Sequence, residues 1–330
     1  MSDLDVCVVG EINLDLILYG LPKTLELDRE LLASGLAVTL GSSSAIFAHN
    51  LSALGTKVGF VSKTGGDALG RMALDRLAAA GVDVGHVSQG TGGTPTGLTV
   101  ILPQVQHRYI LTFPGTMFEM EYSDIDMEYL RSARHLHVSS YFLHRALRPR
   151  IVDLFREAKY AGLSTSLDTN DDPENKWDQD LLEVLKYVDV FMPNDREIKK
   201  IVRTDDLSKA LNVLAELAKV VVVKRGSAAA ICRSGSEQCS LMPPRVKPVD
   251  DVGAGDSFDA GFIHQFLAGA TLENCLTFAN LAGAYSTTAN GGTEAFRDRS
   301  AFDSFVNEHG KRVGPESPSL KSGAIEKMGN

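Results

Sequence analysis

The sequence is poor in the features that most quickly assign a protein to a class. It has four cysteines, Cys7, Cys232, Cys239 and Cys275, and no two of them are spaced as zinc ligands. Neither a disulfide scaffold nor a zinc module is expected, and Cys7 and Cys232 fall in apolar, strand-like runs as reduced core residues. No apolar run approaches the roughly 20 residues of a membrane-spanning helix. The start, MSDLDVCVVG, lacks the basic segment that opens a signal peptide, so a cytoplasmic protein without membrane contact is expected. Positive charge is also short. Lys and Arg total 33 against 42 Asp and Glu, a net charge of −9, which argues against a general nucleic-acid surface. Any phosphate site must then be built locally, from backbone and a few cations. The first strand-like run leads into VVGEINLD rather than G-x-G-x-x-G, which argues against a dinucleotide-dependent oxidoreductase. What is present is 330 residues, 44% of them apolar, enough for one large α/β domain or two of ordinary size.

The most informative stretch is Asp250 to Phe258, DDVGAGDSF. Gly253, Ala254 and Gly255 carry almost no side-chain bulk, so backbone N–H groups can approach an anion. Phe258, Phe262, Ile263, Phe266 and Leu267 then recur at helical spacing. This pattern predicts an anion cradle at a helix N-terminus, where unpaired N–H groups and the macrodipole favour a phosphate. Asp256 would repel such a ligand unless it has a task, and the fitting task is accepting the proton of a hydroxyl that attacks phosphorus. The plainer reading is a capping Asp at the entrance of a buried helix.

The same stretch resembles the C-terminal signature DTxGAGDxF of the ribokinase-like (PfkB) carbohydrate kinases. Five further segments resemble that family in order. They are VCVVGEINLDLIL with Gly10, Asn13 and Asp15; LGSSSAIFAHNLSALG; VSKTGGDALGRMALDRLAAAGVD with Gly66, Asp67, Gly70, Leu77, Gly81 and Val82; VDVFMPNDREI; and VVVKRGSAAAI. The resemblance spans about Val6 to Thr293.

Strand-like runs at Val6–Val9, Val58–Val61, His135–Val138, Ser164–Leu167, Val188–Phe191 and Val220–Val223 alternate with helical patterns such as Met72–Ala80 and Leu207–Ala218. Alternation of this kind predicts a mostly parallel sheet with helices on both faces. With the resemblance, the expected fold is a three-layer α/β/α ribokinase-like domain over residues 1–309. Residues 13–40 and 97–113 have strand character with no helix between, and the resemblance makes them a small β-sheet lid over the sugar, its exposed face a homodimer contact. Residues 310–330, rich in Gly, Ser, Pro and Lys, read as a mobile tail.

Site residues follow from the residues and from the resemblance together. Asp256 is the general base, and the backbone of Gly253, Ala254, Gly255 and Asp256 the anion hole. Asn13 and Asp15 alternate along a strand and so face one way, where an amide and a carboxylate can hold adjacent sugar hydroxyls. Gly41 and Ser42 stand where the family has Gly-Gly against the sugar, and Ile46 where many members have a substrate-binding Asn. Asp168, followed by Asn170, Asp171 and Asp172, either contacts substrate or belongs to an Asx-rich turn. Arg108, in the lid, keeps an anionic sugar open.

Asn194 and Glu197, at i and i+3, resemble the pair that helps hold Mg²⁺ through water, and they read equally well as a capping box. Gly226 and Ser227 line ATP by resemblance. Lys224 either reaches a phosphate or is an exposed strand-end cation, and Asn280 either closes the adenine side or is a solvated helical residue. Asp250, Val252, Ser286, Ala289 and Gly291 match positions whose backbone binds an activating monovalent cation, usually K⁺, in many relatives; Ala295 stands where some of them have a hydroxyl. His135, His137 and His144 read as packing residues rather than a metal site.

The expected activity is transfer of the γ-phosphoryl of Mg-ATP to a primary hydroxyl of a small neutral sugar. Kept beside it are a nucleoside kinase, a 2-keto-3-deoxy sugar-acid kinase and a sugar- or nucleotide-sensing module without turnover.

Overall fold

Side-chain parity along the strands divides the core into two slabs. In the computed structural model, which describes residues 4–90, 92–104, 107–310 and 314–315, neighbouring strand residues point into opposite slabs. Cys7 and Val9 enter one while Val6 and Val8 enter the other, and Val221 and Val223 oppose Val220 and Val222. Helices must therefore cover both faces, since each is too apolar to meet water.

The main sheet has ten strands. From edge to edge they are β14 (Gly314–Pro315), β13 (Glu237–Met242), β12 (Ala230–Ser234), β11 (Val220–Val223), β10 (Val190–Phe191), β9 (Ser164–Leu167), β8 (His135–Val138), β1 (Val6–Val9), β4 (Val58–Thr64) and β5 (Asp83–Gln89). Strands β11 through β5 are parallel; β12, β13 and β14 pair antiparallel at one edge. One face carries α3 (Met127–Arg131), α4 (Ile151–Tyr160), α5 (Asp180–Leu185), α6 (Asp195–Val202) and α7 (Leu207–Leu214). The other carries α1 (Ser43–Ala53), α2 (Ala68–Ala79), α8 (Ala254–Leu267) and α9 (Leu272–Ser286). A last helix, α10 (Arg299–His309), packs Phe302 against Tyr285 of α9 and against Phe296. This is the three-layer α/β/α arrangement that the strand-helix alternation implied.

A second sheet of four strands stands apart, in the order β3 (Gly35–Leu40), β2 (Asn13–Tyr19), β6 (Gly97–Pro103) and β7 (Arg108–Phe113). It is the expected lid, and it lies down on the residues that lead into α8. The Tyr19 hydroxyl donates to Asp250 Oδ2 at 3.0 Å, Arg108 pairs with Asp251, and Val252 packs with Ile17 and Ile101. Packing of Val252 contributes more to this contact than the Arg108–Asp251 pair does, because Asp251 is 75% exposed and solvent screens it.

Several boundaries differ from the sequence reading. Strand β10 begins at Val190 rather than Val188, and α7 ends at Leu214. Strands β5, β12 and β13 were not foreseen, because they sit at or near sheet edges and carry many polar residues. Of the segment 310–330, only Gly310 and Gly314–Pro315 are described, so the tail expectation lies outside the described residues. Among the described residues, no helix is long and apolar enough to cross a membrane.

The α8–α9 contact fixes the slab beneath the loop that leads into α8. A Cβ added at Gly261 would lie 2.8 Å from Ala282 Cβ and 3.1 Å from Ala279 Cα, so the helices can touch only because residue 261 has no side chain. Gly261→Val is therefore expected to destabilise the fold by about 1–3 kcal/mol or more through overpacking. Urea unfolding checks this; an unchanged midpoint would mean that the helices are not in contact.

Candidate active site

Helix α8 begins at Gly253, whose φ of 72° lies in the left-handed region that favours glycine. The position is crowded as well. A Cβ there would meet Gly292 Cα at 2.5 Å and Ile46 Cγ2 at 3.1 Å. The loop is pinned from below: Ser257 Oγ donates to Gly253 O at 2.7 Å, and Asn50 Nδ2 donates to both Ser257 Oγ and Gly292 O at 2.9 Å. Ser257 N–H bonds back to Gly253 O at 2.9 Å and Ala254 N–H to Asp251 O at 3.3 Å, so the N–H groups of Gly255 and Asp256 between them belong to the open first turn of the helix. Asp256 stands in that turn and is 8% exposed.

Three acids and one cation share the space beside it. Lys224, at the end of β11, places Nζ 2.7 Å from Asp168 Oδ2 at the end of β9 and 2.8 Å from Asp259 Oδ2, one helical turn beyond Asp256. An added Cβ at Gly255 would lie 3.7 Å from the same Nζ, so the ammonium borders the α8 N-terminus. Lys224 is thus a buried, doubly paired cation rather than an exposed strand end, and Asp168 is its partner. The carboxylates outnumber their cation, and their pKa values show it. Burial, with Asp168 nearby, pushes Asp259 well above the usual carboxylate range despite the pull of Lys224. Burial and Asp168 likewise raise Glu197 to about 8. Asp256 rises only to about 6, because burial is countered by Lys224 and by a hydrogen bond from Ser43.

On the lid side, Asn13 and Asp15 face one another's space as strand alternation required. A Cβ at Gly41 would fall 2.2 Å from Asp15 Oδ1 and 2.6 Å from Asn13 Oδ1, so glycine is needed for the two to converge. Asn13 Nδ2 donates to Thr99 Oγ1 at 2.7 Å, leaving Oδ1 buried without a partner among the described residues. Burial first, then the charges of Asp256 and Asp250, raise Asp15 to about 7, while Arg108 pulls the other way. Ser42 caps α1 at φ 67°, a conformation that suits the glycine found there in the family. Its hydroxyl donates to Glu11 O at 2.5 Å and accepts from Ala45 N at 3.3 Å. Ile46 is 3% exposed and packs under Gly253 and Gly292.

On the opposite side, Asn194 and Glu197 form the capping box that their spacing allowed. Asn194 caps α6, accepting from Arg196 N at 3.0 Å and Glu197 N at 2.9 Å, and Glu197 Oε2 accepts from Asn194 N at 2.9 Å. The capping box is formed, and it holds a buried acid beside Asp168 and Lys224. Gly226, at φ 55°, and Ser227 lie on an exposed turn just past Lys224. Asn280 is not solvated: it is 4% exposed and donates to Leu241 O at 3.0 Å, tying α9 to β13. The loops 249–252 and 286–291 run side by side, joined by Val249 N to Thr287 O at 2.7 Å and Gly291 N to Asp250 Oδ2 at 3.0 Å. Asp250 Oδ1 also accepts from Val252 N at 3.0 Å, Ala289 N approaches Ser286 O at 3.5 Å, and the buried Ser286 Oγ has no partner among the described residues.

Two members of this cluster escaped the sequence reading. Glu11, 2% exposed, accepts from Ser44 Oγ at 2.6 Å and Ser140 Oγ at 2.8 Å and faces His144 at 3.5 Å. Asp259 was hidden inside the apolar run after GAGD, although an acid amid FDAGFI is itself a signal of a buried polar role. His135 and His137 form a buried hydrogen-bonded row with Ser164, Ser166 and Ser139, each link 2.7 Å. Among the described residues, no group of His, Cys, Asp and Glu is arranged to hold a metal ion by itself.

Comparison with known proteins bears on the family and the fold. A family model described as pfkB family carbohydrate kinase matches residues 3–299. A 2-dehydro-3-deoxygluconokinase of Bacillus subtilis is 29% identical over 286 residues, covering 81% of this chain and 86% of that protein. An ATP-dependent ribose-1-phosphate kinase of Halopiger xanaduensis is 28% identical over 291 residues, covering 88% and 94%. Among solved structures, an Escherichia coli protein assigned as a ribokinase II, in complex with ATP and Mg²⁺, superposes with a TM-score of 0.81 at 24% identity, covering 93% of this chain and 100% of that one.

The Lys224 clamp is open to a direct check. Lys224→Met strands two buried carboxylates, and breaking a buried pair by removing one partner costs about 3–5 kcal/mol. Chemical unfolding at pH 7 should show a loss of that size. A loss under about 1 kcal/mol, as for a surface cation, would contradict the clamp.

Proposed function

Because the chain belongs to the PfkB family of carbohydrate kinases, we propose that it transfers the γ-phosphoryl of Mg-ATP to a primary hydroxyl of a small neutral sugar, with Asp256 as general base. The observation that carries this reading is the position of Asp256: a buried carboxyl in the first turn of α8, beside glycine backbone and the Lys224 ammonium, titrating near 6. Such a group is mostly ionised at neutral pH and still basic enough to accept a proton in the transition state. The first-turn N–H groups and Lys224 are the groups that meet charge developing on the phosphoryl oxygens.

The neutral substrate is argued from charge. Asp15, Asp256 and Asp250 act on one another across the sugar side, and the cation there, Arg108, is engaged by Asp251. A site of acceptors suits hydroxyl donors and repels a carboxylate or phosphate. Asn13 Oδ1, buried and unpartnered, supplies one more acceptor. A sugar acid is the second reading. It rests on Arg108 at the lid edge, which a negatively charged substrate would draw away from Asp251, and on the similarity to a 2-dehydro-3-deoxygluconokinase.

The donor set also fits the expected ions. Glu197 is a buried acid short of positive charge, and with Asn194 it would hold Mg²⁺ through water, which supplies charge neutralisation to the phosphates when bound. Backbone carbonyls along 250–252 and 286–291, with the orphaned Ser286 hydroxyl, would suit a weakly held K⁺. Gly226, Ser227 and Asn280 then border the nucleotide.

Release of ADP across a panel of neutral sugars, sugar acids and nucleosides, with and without K⁺, tests the reading. Neutral sugars should give the highest kcat/KM, with activity falling as pH drops through about 6 as Asp256 takes up its proton. Asp256→Asn should lower kcat by about 10²–10⁴. Full activity in that variant, or a preference for acids, would overturn the assignment of base or of substrate respectively.

For the partner, we propose a second copy of this chain at the lid. Strand β7 is an unpaired edge whose Tyr109, Ile110, Leu111 and Phe113 are each more than half exposed. Charged substitution of Ile110 and Leu111 together should convert a dimer to a monomer in analytical ultracentrifugation. A native chain that sediments as a monomer at high concentration would remove the proposal.

A further inference from the structure

We propose that Cys232 and Cys239 form a reversible dithiol–disulfide site that takes two-electron oxidants, a hydroperoxide or a small-molecule disulfide. The two residues are directly opposite on the antiparallel strands β12 and β13. Ser234 pairs with Glu237 across the two-residue turn Gly235–Ser236, so the pairs alternate outward and Cys232–Cys239 is again of the hydrogen-bonded kind. Pairs of that kind place their Cα atoms about 5.5 Å apart, within the usual span of a disulfide, about 4.4–6.8 Å. Both cysteines are free, and each thiol shifts the other's titration, Cys232 upward and Cys239 downward.

The two sulfurs are unequal in a way that gives them roles. Cys232 is wholly buried in the slab under α9, whereas Cys239 is part-exposed. Cys239 is the thiol whose deprotonation is eased, by the Cys232 thiol and by its backbone N–H, while loss of the Cys232 proton is made harder. The thiolate is the nucleophile and must be reached by the oxidant. Cys239 meets both conditions and Cys232 neither, so Cys239 attacks first and Cys232 resolves. Cys275 of α9 lies in the same slab, but its sulfur is turned to Ala270 O at 3.8 Å.

With hydrogen peroxide, the Cys239 sulfur attacks the terminal oxygen, an S–O bond forms, the O–O bond breaks, and one water leaves after protonation. The Cys232 sulfur then attacks the sulfenic acid, the S–S bond forms, the S–O bond breaks, and a second water leaves. Two thiols lose two protons and two electrons; one peroxide becomes two waters. A dithiol reductant reverses the change by exchange at the part-exposed Cys239.

The test is mass spectrometry of the intact full chain after mild peroxide or oxidised glutathione, with peptide mapping under non-reducing conditions. The expected result is a loss of about two mass units for the two hydrogens given up, a single linked peptide pair containing Cys232 and Cys239, and full reversal by dithiothreitol. Cys275→Ser should still form the link, and Cys239→Ser should form none. Cys239 accumulating as sulfinic acid or a glutathione adduct without linkage, or a link through Cys275, would overturn the proposal. Circular dichroism of each variant ensures that loss of the link is not loss of the fold.

Discussion

One ammonium among too many carboxylates sets the chemistry of this site. At about 4 Å and an effective dielectric of 20, a single opposite charge is worth about 4 kcal/mol, while burying each ion costs several kcal/mol. Lys224 can offset that cost for Asp168 and partly for Asp259, but Glu197 and Asp256 also face it. The remainder is met by protons. Burial pushes Asp259 well above the usual carboxylate range and Glu197 up to about 8, whereas Asp256, helped by Lys224 and Ser43, rises only to about 6. Distance to the cation does not decide this division of labour alone, since Asp259 touches Lys224 at 2.8 Å and is still pushed well above the usual carboxylate range by burial and by Asp168.

Glycine does the complementary work of bringing backbone and side chains into the same small volume. Gly253 and Gly292 meet with almost no space between them, Gly41 lets Asn13 and Asp15 converge, and Gly261 lets α9 press on the helix that carries Asp256 and Asp259. The lid completes the enclosure by resting on Asp250–Val252, the segment that feeds α8. A lid that touches the catalytic loop rather than only the substrate ties closure to the position of Asp256.

Much of this was legible in the sequence because it is local. Short β-rich runs alternating with helical patterns gave the parallel strands, and the small residues before Asp256 gave the helix start. The alternation of Asn13 and Asp15 gave their shared face. What stayed hidden depends on partners distant along the chain. Nothing near Lys224 says that Asp168 and Asp259 will bury it, so a strand-end cation and a phosphate ligand looked alike. The burial of Asn280 stayed hidden for the same reason, since its partner is the Leu241 carbonyl on another element. For Asn194 and Glu197 the two readings were never exclusive: a capping box is a way to hold an acid at a sheet edge.

The most direct test is a crystal structure with a non-hydrolysable ATP analogue and the preferred sugar. The account predicts the acceptor hydroxyl within about 3 Å of the Asp256 carboxylate, the terminal phosphate against the N–H groups of Gly253–Asp256, and Lys224 still held by Asp168 and Asp259. A reactive hydroxyl seated instead against Asp15, with Asp256 turned away toward Ser43, would contradict it.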